Sequence, residues 1–218
     1  MSSNVDGTRS AASPESFRDV AFEAAANALS SERDALEAVS GRLDDGFIRA
    51  VELITACRGR TVVTGIGKSG YIAMKIAATL SSVGRPAQFL HSTEALHGDS
   101  GALTTGDVLI AMSNSGRTAE VCAFARYATS IAVPVIAIVG DRTSPLAVLS
   151  EAVIDASVAR EADPLNLAPT ASTTAALALG DALSAATMAV AHFTPDEFHR
   201  RHPSGSLGEQ LSTESVRR

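Results

Sequence analysis

Short apolar segments alternate with helical segments along most of this chain, and this alternation limits the fold more than any other feature. Strands are predicted at residues 61–64, 87–90, 107–112, 133–139 and 151–155. Helices are predicted at residues 14–41, 43–57, 69–82, 119–129 and 170–192. Short apolar strands separated by helices are typical of a parallel sheet buried on both faces. The sequence therefore predicts an α/β fold whose ligands bind beyond the carboxyl ends of the strands.

Composition argues against several classes of protein. The 218 residues are 45% hydrophobic and 19% charged, which suits one globular domain. The net charge is −6 and no Lys/Arg block stands out, so we expect no nucleic-acid partner. The apolar stretch at 171–193 is rich in Ala and Thr and contains Asp181, which favours a buried helix over a membrane span.

The chain ends and the cysteines add weaker constraints. Residues 1–13 are polar and lack the apolar core of a signal peptide, so we predict a disordered tail and a cytoplasmic protein. Residues 213–218 are predicted to form a second tail. Cys57 and Cys122 do not form a metal-type pair, and both are predicted to be buried, reduced thiols within helices.

The segment Ser-Asn-Ser-Gly-Arg-Thr at residues 113–118 lies between the third strand and the following helix. A helix start offers free backbone N–H groups, and the helix dipole there favours an anion. Ser113, Ser115 and Thr118 add neutral hydroxyl donors, Asn114 adds an amide, and Gly116 lets the backbone approach a ligand. The pattern predicts a phosphate-binding loop. The alternative is an ordinary capped helix start, since Ser and Thr are preferred N-caps.

A second turn, Gly-Ile-Gly-Lys-Ser-Gly at residues 65–70, follows the first strand. It matches the dinucleotide fingerprint, but the acid expected at the end of the second strand is missing. It is not a Walker A loop either, because Val62 stands where the first glycine belongs. What remains is a tight turn at Gly67 that presents Lys68 and Ser69 at a helix start, or simply close packing of a strand on a helix.

Three other polar segments are less specific. Residues 91–99 hold two histidines and two acids, but their spacing matches no standard metal-ligand pattern. We interpret them as a loop whose Glu94 and His97 reach a polar substrate. The segment 160–170 places carboxylates at the ligand end of the sheet, although a solvated connection is the alternative. His202 precedes a Pro/Ser/Gly segment, which by itself is typical of a surface loop.

Five motifs occur together and in order. They are Gly-Ile-Gly-Lys-Ser-Gly at 65–70, His-Gly-Asp at 97–99, Ser-Asn-Ser-Gly-x-Thr at 113–118, Arg-Glu-x-x-Pro-Leu-Asn-Leu-Ala-Pro-Thr-Ala-Ser-Thr-Thr at 160–174 and His-Pro-x-Gly-Ser-Leu-Gly at 202–208. With these motifs the chain resembles, from about residue 20 to 212, the sugar isomerase (SIS) domain of the arabinose-5-phosphate isomerase family.

The resemblance implies a flavodoxin-like sandwich with a five-stranded parallel sheet flanked by helices on both faces. It also implies a homotetramer with shared sites and the interconversion of D-ribulose 5-phosphate with D-arabinose 5-phosphate. We expect a single SIS domain without the paired regulatory modules that often follow it in the family. Its expected limits are residues 14–212, divided into N-terminal helices (14–57), an α/β core (60–193) and a C-terminal helix and loop (194–212).

The resemblance also assigns roles to residues. The implied catalytic residues are Lys68, Glu120, Glu161 and His202. Together, the resemblance and the two turns predict these substrate-binding residues: Gly67, Ser69, His97, Ser113, Asn114, Ser115, Gly116 and Thr118. Three positions depart from the family pattern, with Tyr71 in place of His, Arg117 in place of Glu and Asp163 in place of Cys. The last two bear on the identity of the substrate.

Aldose–ketose isomerisation requires a base that moves a proton between adjacent carbons through an ene-diolate. A carboxylate whose pKa is raised by partial burial suits that role, and Glu161 is the first expectation, with Glu120 its competitor. Lys68 is expected to stabilise the oxyanion or the phosphate, and His202 to assist from a neighbouring subunit. No metal or organic cofactor is expected. The alternatives are an isomerase for another phosphosugar, such as a hexulose 6-phosphate, and a non-catalytic phosphosugar sensor.

Overall fold

The computed structural model describes residues 14–202, with side chains from Ser16 onward. Its five strands form one parallel sheet and are β1 (Thr61–Thr64), β2 (Ala87–Phe89), β3 (Val108–Ser113), β4 (Val135–Val139) and β5 (Ala152–Asp155). They lie in the order β2-β1-β3-β4-β5. The predicted five-stranded parallel sheet is confirmed, with its strand ends shifted by a residue or two.

Helices connect and flank these strands. They are α1 (Pro14–Ser40), α2 (Asp45–Ala56), α3 (Lys68–Ser82), α4 (Ser92–Ala95), α5 (Ala119–Ser130), α6 (Pro145–Leu149), α7 (Ala171–Val190) and α8 (Pro195–Arg201). A 3-10 turn covers Asp99–Ala102. Helices α2, α3 and α7 pack on one face of the sheet, and α5 and α6 pack on the other. The prediction of helices on both faces is therefore confirmed.

The direction of the strand order reverses between β1 and β3. Helix α3 leaves the end of β1 toward one face, and α5 leaves the end of β3 toward the other. This divergence opens a crevice at the carboxyl ends of the two strands, which is where ligands bind in sheets of this kind. The two predicted turns, 65–70 and 113–118, both lie there.

Both faces of the sheet are buried, which explains why the strands are almost continuously apolar. In β3, Ile110 and Met112 pack into the core under α3 and α7, whereas Leu109 and Ala111 pack into the core under α5. Alternate side chains of a strand point to opposite faces. Full burial of each Ile or Leu stabilises the fold by about 1.5–3 kcal/mol before entropic costs.

Helix α7 lies within the first of these cores. Its length and its mean hydropathy of 1.3 make it the one helix among residues 14–202 that is long and apolar enough to cross a membrane. In this fold, Ala175, Leu179 and Leu183 of α7 are buried against the helices on the same face. Gly180 lets Ile76 of α3 approach closely, since any Cβ at Gly180 would overlap the Ile76 side chain.

Several sequence expectations are wrong in detail. Residues 91–99 do not form a plain loop, because α4 and the 3-10 turn lie within 92–102. Helix α6 is too short to show a helical period and was not predicted. Cys122 is buried in α5, but Cys57 lies just beyond α2 and is only partly buried; both thiols are free. The predicted tails and the segment 203–212 lie outside the described residues.

Candidate active site

Hydroxyl groups shape the loop between β3 and α5. Ser113 Oγ lies 2.9 Å from Thr118 Oγ1 and accepts the Gly116 N–H at 3.1 Å. Ser115 Oγ accepts the Arg117 N–H at 3.2 Å. Ser113 and Thr118 share a single bond between two hydroxyls, so one O–H of this pair has no acceptor among the described residues, and neither has that of Ser115. The loop is therefore ordered without using up its donors.

Helix α5 begins without a side-chain cap. Thr118 is its N-cap residue, but the hydroxyl bonds to Ser113 rather than to the backbone of the helix. Within residues 14–202, the first-turn N–H groups of this 12-residue helix therefore stay free for a ligand, and the helix dipole favours an anion. The alternative interpretation, an ordinary capped helix start, is wrong for this segment.

Gly116 fixes the position of the loop over α6. Its φ is +63°, a left-handed conformation that favours glycine. A Cβ at this position would overlap the buried Ser144 side chain, which caps α6. The Gly116 carbonyl also accepts the Leu146 N–H at 3.1 Å. The loop thus rests directly on the start of α6.

Replacing Gly116 with alanine is expected to lower the free energy of unfolding by about 2–4 kcal/mol, because strain at positive φ and the overlap with Ser144 add together. Denaturant unfolding measures the change. Gly101→Ala is the matched control, since a Cβ there meets nothing within 4 Å and should change stability by no more than about 0.5 kcal/mol. Equal stability of the two variants would contradict the tight seating of the loop.

The second turn produces another open helix start. Gly67 is the N-cap of α3 at a φ of +60° and supplies no side chain. A Cβ on Gly70 would lie 3.1 Å from the Gly65 carbonyl oxygen, so this pair allows strand and helix to pack closely. Lys68, the first residue of α3, is exposed and pairs with no carboxylate in the described part of the chain. Close packing and an open helix start therefore occur together.

A cavity of about 150 Å³ lies beside the start of α3 and the first residues of the loop that leads from β3 to α5. It is lined by Ile66, Lys68, Ser69, Ile72, Met112, Ser113, Asn114, Ile138, Ala156, Pro169, Ser172, Thr173 and Ala176. The polar groups come from the start of α3, the end of β3 with Asn114, and the start of α7. A more open groove of about 600 Å³ between α1 and residues 160–164 includes neither the start of α3 nor the loop after β3, so the smaller cavity is the better candidate.

Glu161 occupies the start of α7. Its Oε2 accepts the N–H of Thr170 at 2.8 Å and of Ser172 at 3.1 Å, and its Oε1 accepts the Ser172 hydroxyl. Burial opposes its ionisation, but the hydrogen bonds from Ser172 and Thr170 outweigh burial and lower the Glu161 pKa below its usual range. The expectation of a pKa raised toward neutrality is therefore wrong for Glu161.

Comparisons with known proteins agree with this geometry. The family model described as the SIS domain matches residues 54–186, more than half of the chain. The chain belongs to the SIS-domain family. It is 47% identical over 190 residues to arabinose 5-phosphate isomerase KdsD of Pseudomonas aeruginosa, covering 87% of this chain and 58% of the relative.

Two further comparisons cover the same SIS domain. Arabinose 5-phosphate isomerase GutQ of Escherichia coli K12 is 47% identical over 170 residues, covering 78% of this chain and 53% of the relative. The chain thus spans between half and three-fifths of the curated relatives it matches. The c3406 protein of E. coli CFT073, solved in complex with arabinose 5-phosphate, is 34% identical with a TM-score of 0.80, covering 88% of this chain and 100% of that one.

The structure brings together only part of the predicted site of this SIS domain. Lys68, Ser69, Ser113 and Asn114 line the cavity. Pro169, Ser172 and Thr173 also line it and were not predicted as site residues. Their signal was the motif at 160–174, because a segment following β5 enters the same edge of the sheet.

The other predicted residues lie outside the lining of the cavity. Glu120 is in the first turn of α5, partly buried and without an ion-pair partner among residues 14–202. His97 is exposed between α4 and the 3-10 turn. His202 ends α8, where its ring stacks on Phe198 at 3.9 Å and its Nδ1 lies 2.9 Å from the Phe198 carbonyl oxygen. Since a carbonyl only accepts, Nδ1 carries the proton.

Each departure from the family pattern has a defined environment in this SIS domain. Tyr71 is 68% exposed, one turn after Lys68 on α3. Arg117 donates to Asp141 at 2.8 Å, which ties the loop at 113–118 to the segment after β4. Asp163 accepts backbone N–H groups of its own loop. Within residues 14–202, no three His, Cys, Asp or Glu side chains are grouped as metal ligands.

Proposed function

We propose that this SIS-domain protein is an aldose–ketose isomerase that interconverts D-ribulose 5-phosphate and D-arabinose 5-phosphate. The observation that carries the proposal is one cavity lined by Lys68 at the uncapped start of α3 and by Ser113 and Asn114, which lead into the uncapped start of α5. The phosphate binds to the N–H groups and hydroxyls of residues 113–118, and the sugar extends toward the start of α7. The two named isomerases and the solved complex with arabinose 5-phosphate support this substrate class.

The proposed chemistry gives the two glutamates, Glu120 and Glu161, different roles. Glu120 serves as the base, because this residue lies just after the loop at 113–118, is partly buried and has no ion-pair partner among the described residues. Glu161 holds the start of α7, because donors already surround its carboxylate. Lys68 stabilises the oxyanion of the ene-diolate or the phosphate. Ser69, Asn114, Gly116 and the other loop residues position the substrate. The reaction requires no metal or organic cofactor.

Assembly belongs to the same proposal. Helix α1 exposes a series of large apolar side chains, which are Phe17, Val20, Phe22 and Leu29. Exposed apolar surface of this extent favours contact with another copy, and a homotetramer is the proposed state. In it, His97 and His202, which lie outside the cavity of their own chain, complete the site of a neighbour. A cytoplasmic location follows, since a charged phosphosugar does not cross a bilayer unaided.

A substrate panel tests the activity. Purified protein is incubated with pentose and hexose phosphates, including hexulose 6-phosphate, in the presence of EDTA, and the products are identified by NMR. We expect conversion of D-arabinose 5-phosphate and no loss of rate on chelation. Conversion of a hexulose 6-phosphate alone would replace D-arabinose 5-phosphate as the proposed substrate. An activity that EDTA abolishes and one added metal restores would overturn the cofactor-free mechanism. Binding without any conversion would favour the sensor.

A further inference from the structure

Two carboxylates organise the segment that connects β5 to α7. Asp163 accepts the N–H groups of Leu165 at 2.9 Å and of Leu167 and Ala168 at 2.8 Å each. Glu161 accepts two N–H groups further along, those of Thr170 and Ser172. Pro169, between the two sets, has no N–H. The side chains of Asp163 and Glu161 therefore hold the backbone of residues 165–172 by hydrogen bonds.

The loop held by Asp163 is compact although its tip is exposed. Leu165 and Leu167 are each 75% exposed, so burial of apolar surface does not account for the order of the tip. Asn166 takes a left-handed φ of +56° and donates its N–H to the Asp163 carbonyl, while its side-chain oxygen accepts the Glu161 N–H at 2.6 Å. Hydrogen bonds centred on Asp163 thus replace the apolar contacts that the tip lacks.

This loop is directly connected to the cavity wall. Ala168, whose N–H binds Asp163, precedes Pro169, which lines the cavity. Ser172 and Thr173 line the same wall and begin α7. The opposite wall, with Ser113 and Lys68, comes from β3 and α3, whereas the hydrogen bonds of Asp163 go to its own loop. A change at Asp163 should therefore move one wall and spare the other.

We propose that Asp163 is a positioning residue that sets the α7 wall of the cavity, against which the sugar part of the substrate lies, without contacting the substrate. The proposal rests on the phosphosugar function proposed above. Both Asp163 oxygens are engaged by loop amides, so the carboxylate orders the loop rather than adding a negative charge for the substrate to meet.

Asp163→Asn tests this role, because asparagine keeps the shape but offers one accepting oxygen instead of two. We expect kcat for D-arabinose 5-phosphate to fall about 10- to 100-fold, as for a misplaced substrate. The affinity for inorganic phosphate, held by the opposite wall, should stay within about twofold. Amide hydrogen exchange at Leu165, Leu167 and Ala168 should accelerate. Asp45→Asn changes an exposed aspartate in the first turn of α2, far along the chain from this loop, and as the control should change none of these.

The outcomes separate the two proposals. A wild-type protein that neither converts nor binds phosphosugars refutes the proposed function, while the exchange rates still report whether Asp163 orders the loop. An active wild type whose Asp163→Asn variant keeps kcat and exchange rates overturns the positioning role. A variant that loses phosphate affinity in parallel with kcat also overturns it, since a general loss of structure would then explain the effect. Because Asp163→Asn keeps the shape of the side chain, it tests the positioning role even where Asp163→Ala does not fold.

Discussion

Replacing Ser115 and Thr118 together with alanine is expected to raise the KM for a phosphosugar about 100-fold or more and to leave kcat within about threefold. Both residues lie in the loop whose hydroxyls keep unused donors next to the uncapped start of α5. A hydrogen bond to a charged group contributes about 1.5–3 kcal/mol, and two of them exceed the 2.7 kcal/mol or so that a hundredfold change in affinity represents. Steady-state kinetics on the preferred phosphosugar measure both constants.

A matched control exists at the other end of the same helix. Thr129 and Ser130 lie in the last turn of α5, where their hydroxyls donate to the carbonyls of Arg126 and Tyr127. The Thr129→Ala/Ser130→Ala protein loses the same two functional groups from an exposed position, so its KM should equal that of the wild type. An unchanged KM in the loop variant would place the phosphate elsewhere.

The second large effect concerns the two glutamates. Glu120→Gln is expected to lower kcat about 100-fold or more, the usual scale for a positioned base, with little change in the free energy of unfolding. Glu161→Gln places an amide NH₂ among donors that now face a carboxylate, so it should destabilise the start of α7 and raise KM. Kinetics and denaturant unfolding of the two variants, measured side by side, separate a base from a structural carboxylate.

The pKa of Glu161 gives this comparison a pH dependence with a definite sign. Its folded pKa lies below that of an unfolded glutamate, so its contribution to stability is complete above about pH 4.3 and is lost as the pH falls through the lower folded value. Wild-type stability should therefore fall more steeply in acid than that of Glu161→Gln. If the acid unfolding curves of the wild type and Glu161→Gln ran parallel, the capping role would be contradicted and Glu161 would again be a candidate for the base.

The succession of strands and helices along the chain could be predicted because its signal is strong and local. Each strand is an apolar run of a few residues, and each long helix that follows a strand shows apolar residues at helical spacing. Helix α6 was missed because five residues cannot show a helical period, and its start depends on Ser144, whose capping bond to Ala147 only the folded chain shows. Helix α4 was missed because it is shorter still.

The site was predictable where it follows directly from a strand. Ser113 ends β3, and Lys68 begins the helix that follows β1; parallel strands bring such positions to one edge of the sheet. The environment of Glu161 was not predictable, because its donors, Thr170 and Ser172, come from a helix start nine and eleven residues later. Partial burial suggested a raised pKa, whereas hydrogen bonds visible only in the folded loop reverse the sign.

The central claim is that the protein transfers a proton on a bound phosphosugar. Incubating the wild-type protein with D-arabinose 5-phosphate in deuterated water and following the C2 hydrogen by NMR tests it most directly, because exchange needs only the first half of the reaction. We expect deuterium at C2 together with ribulose 5-phosphate, retained exchange in Glu161→Gln and none in Glu120→Gln. Binding of the phosphosugar without any exchange would contradict the claim, and exchange lost only in Glu161→Gln would make Glu161 the base.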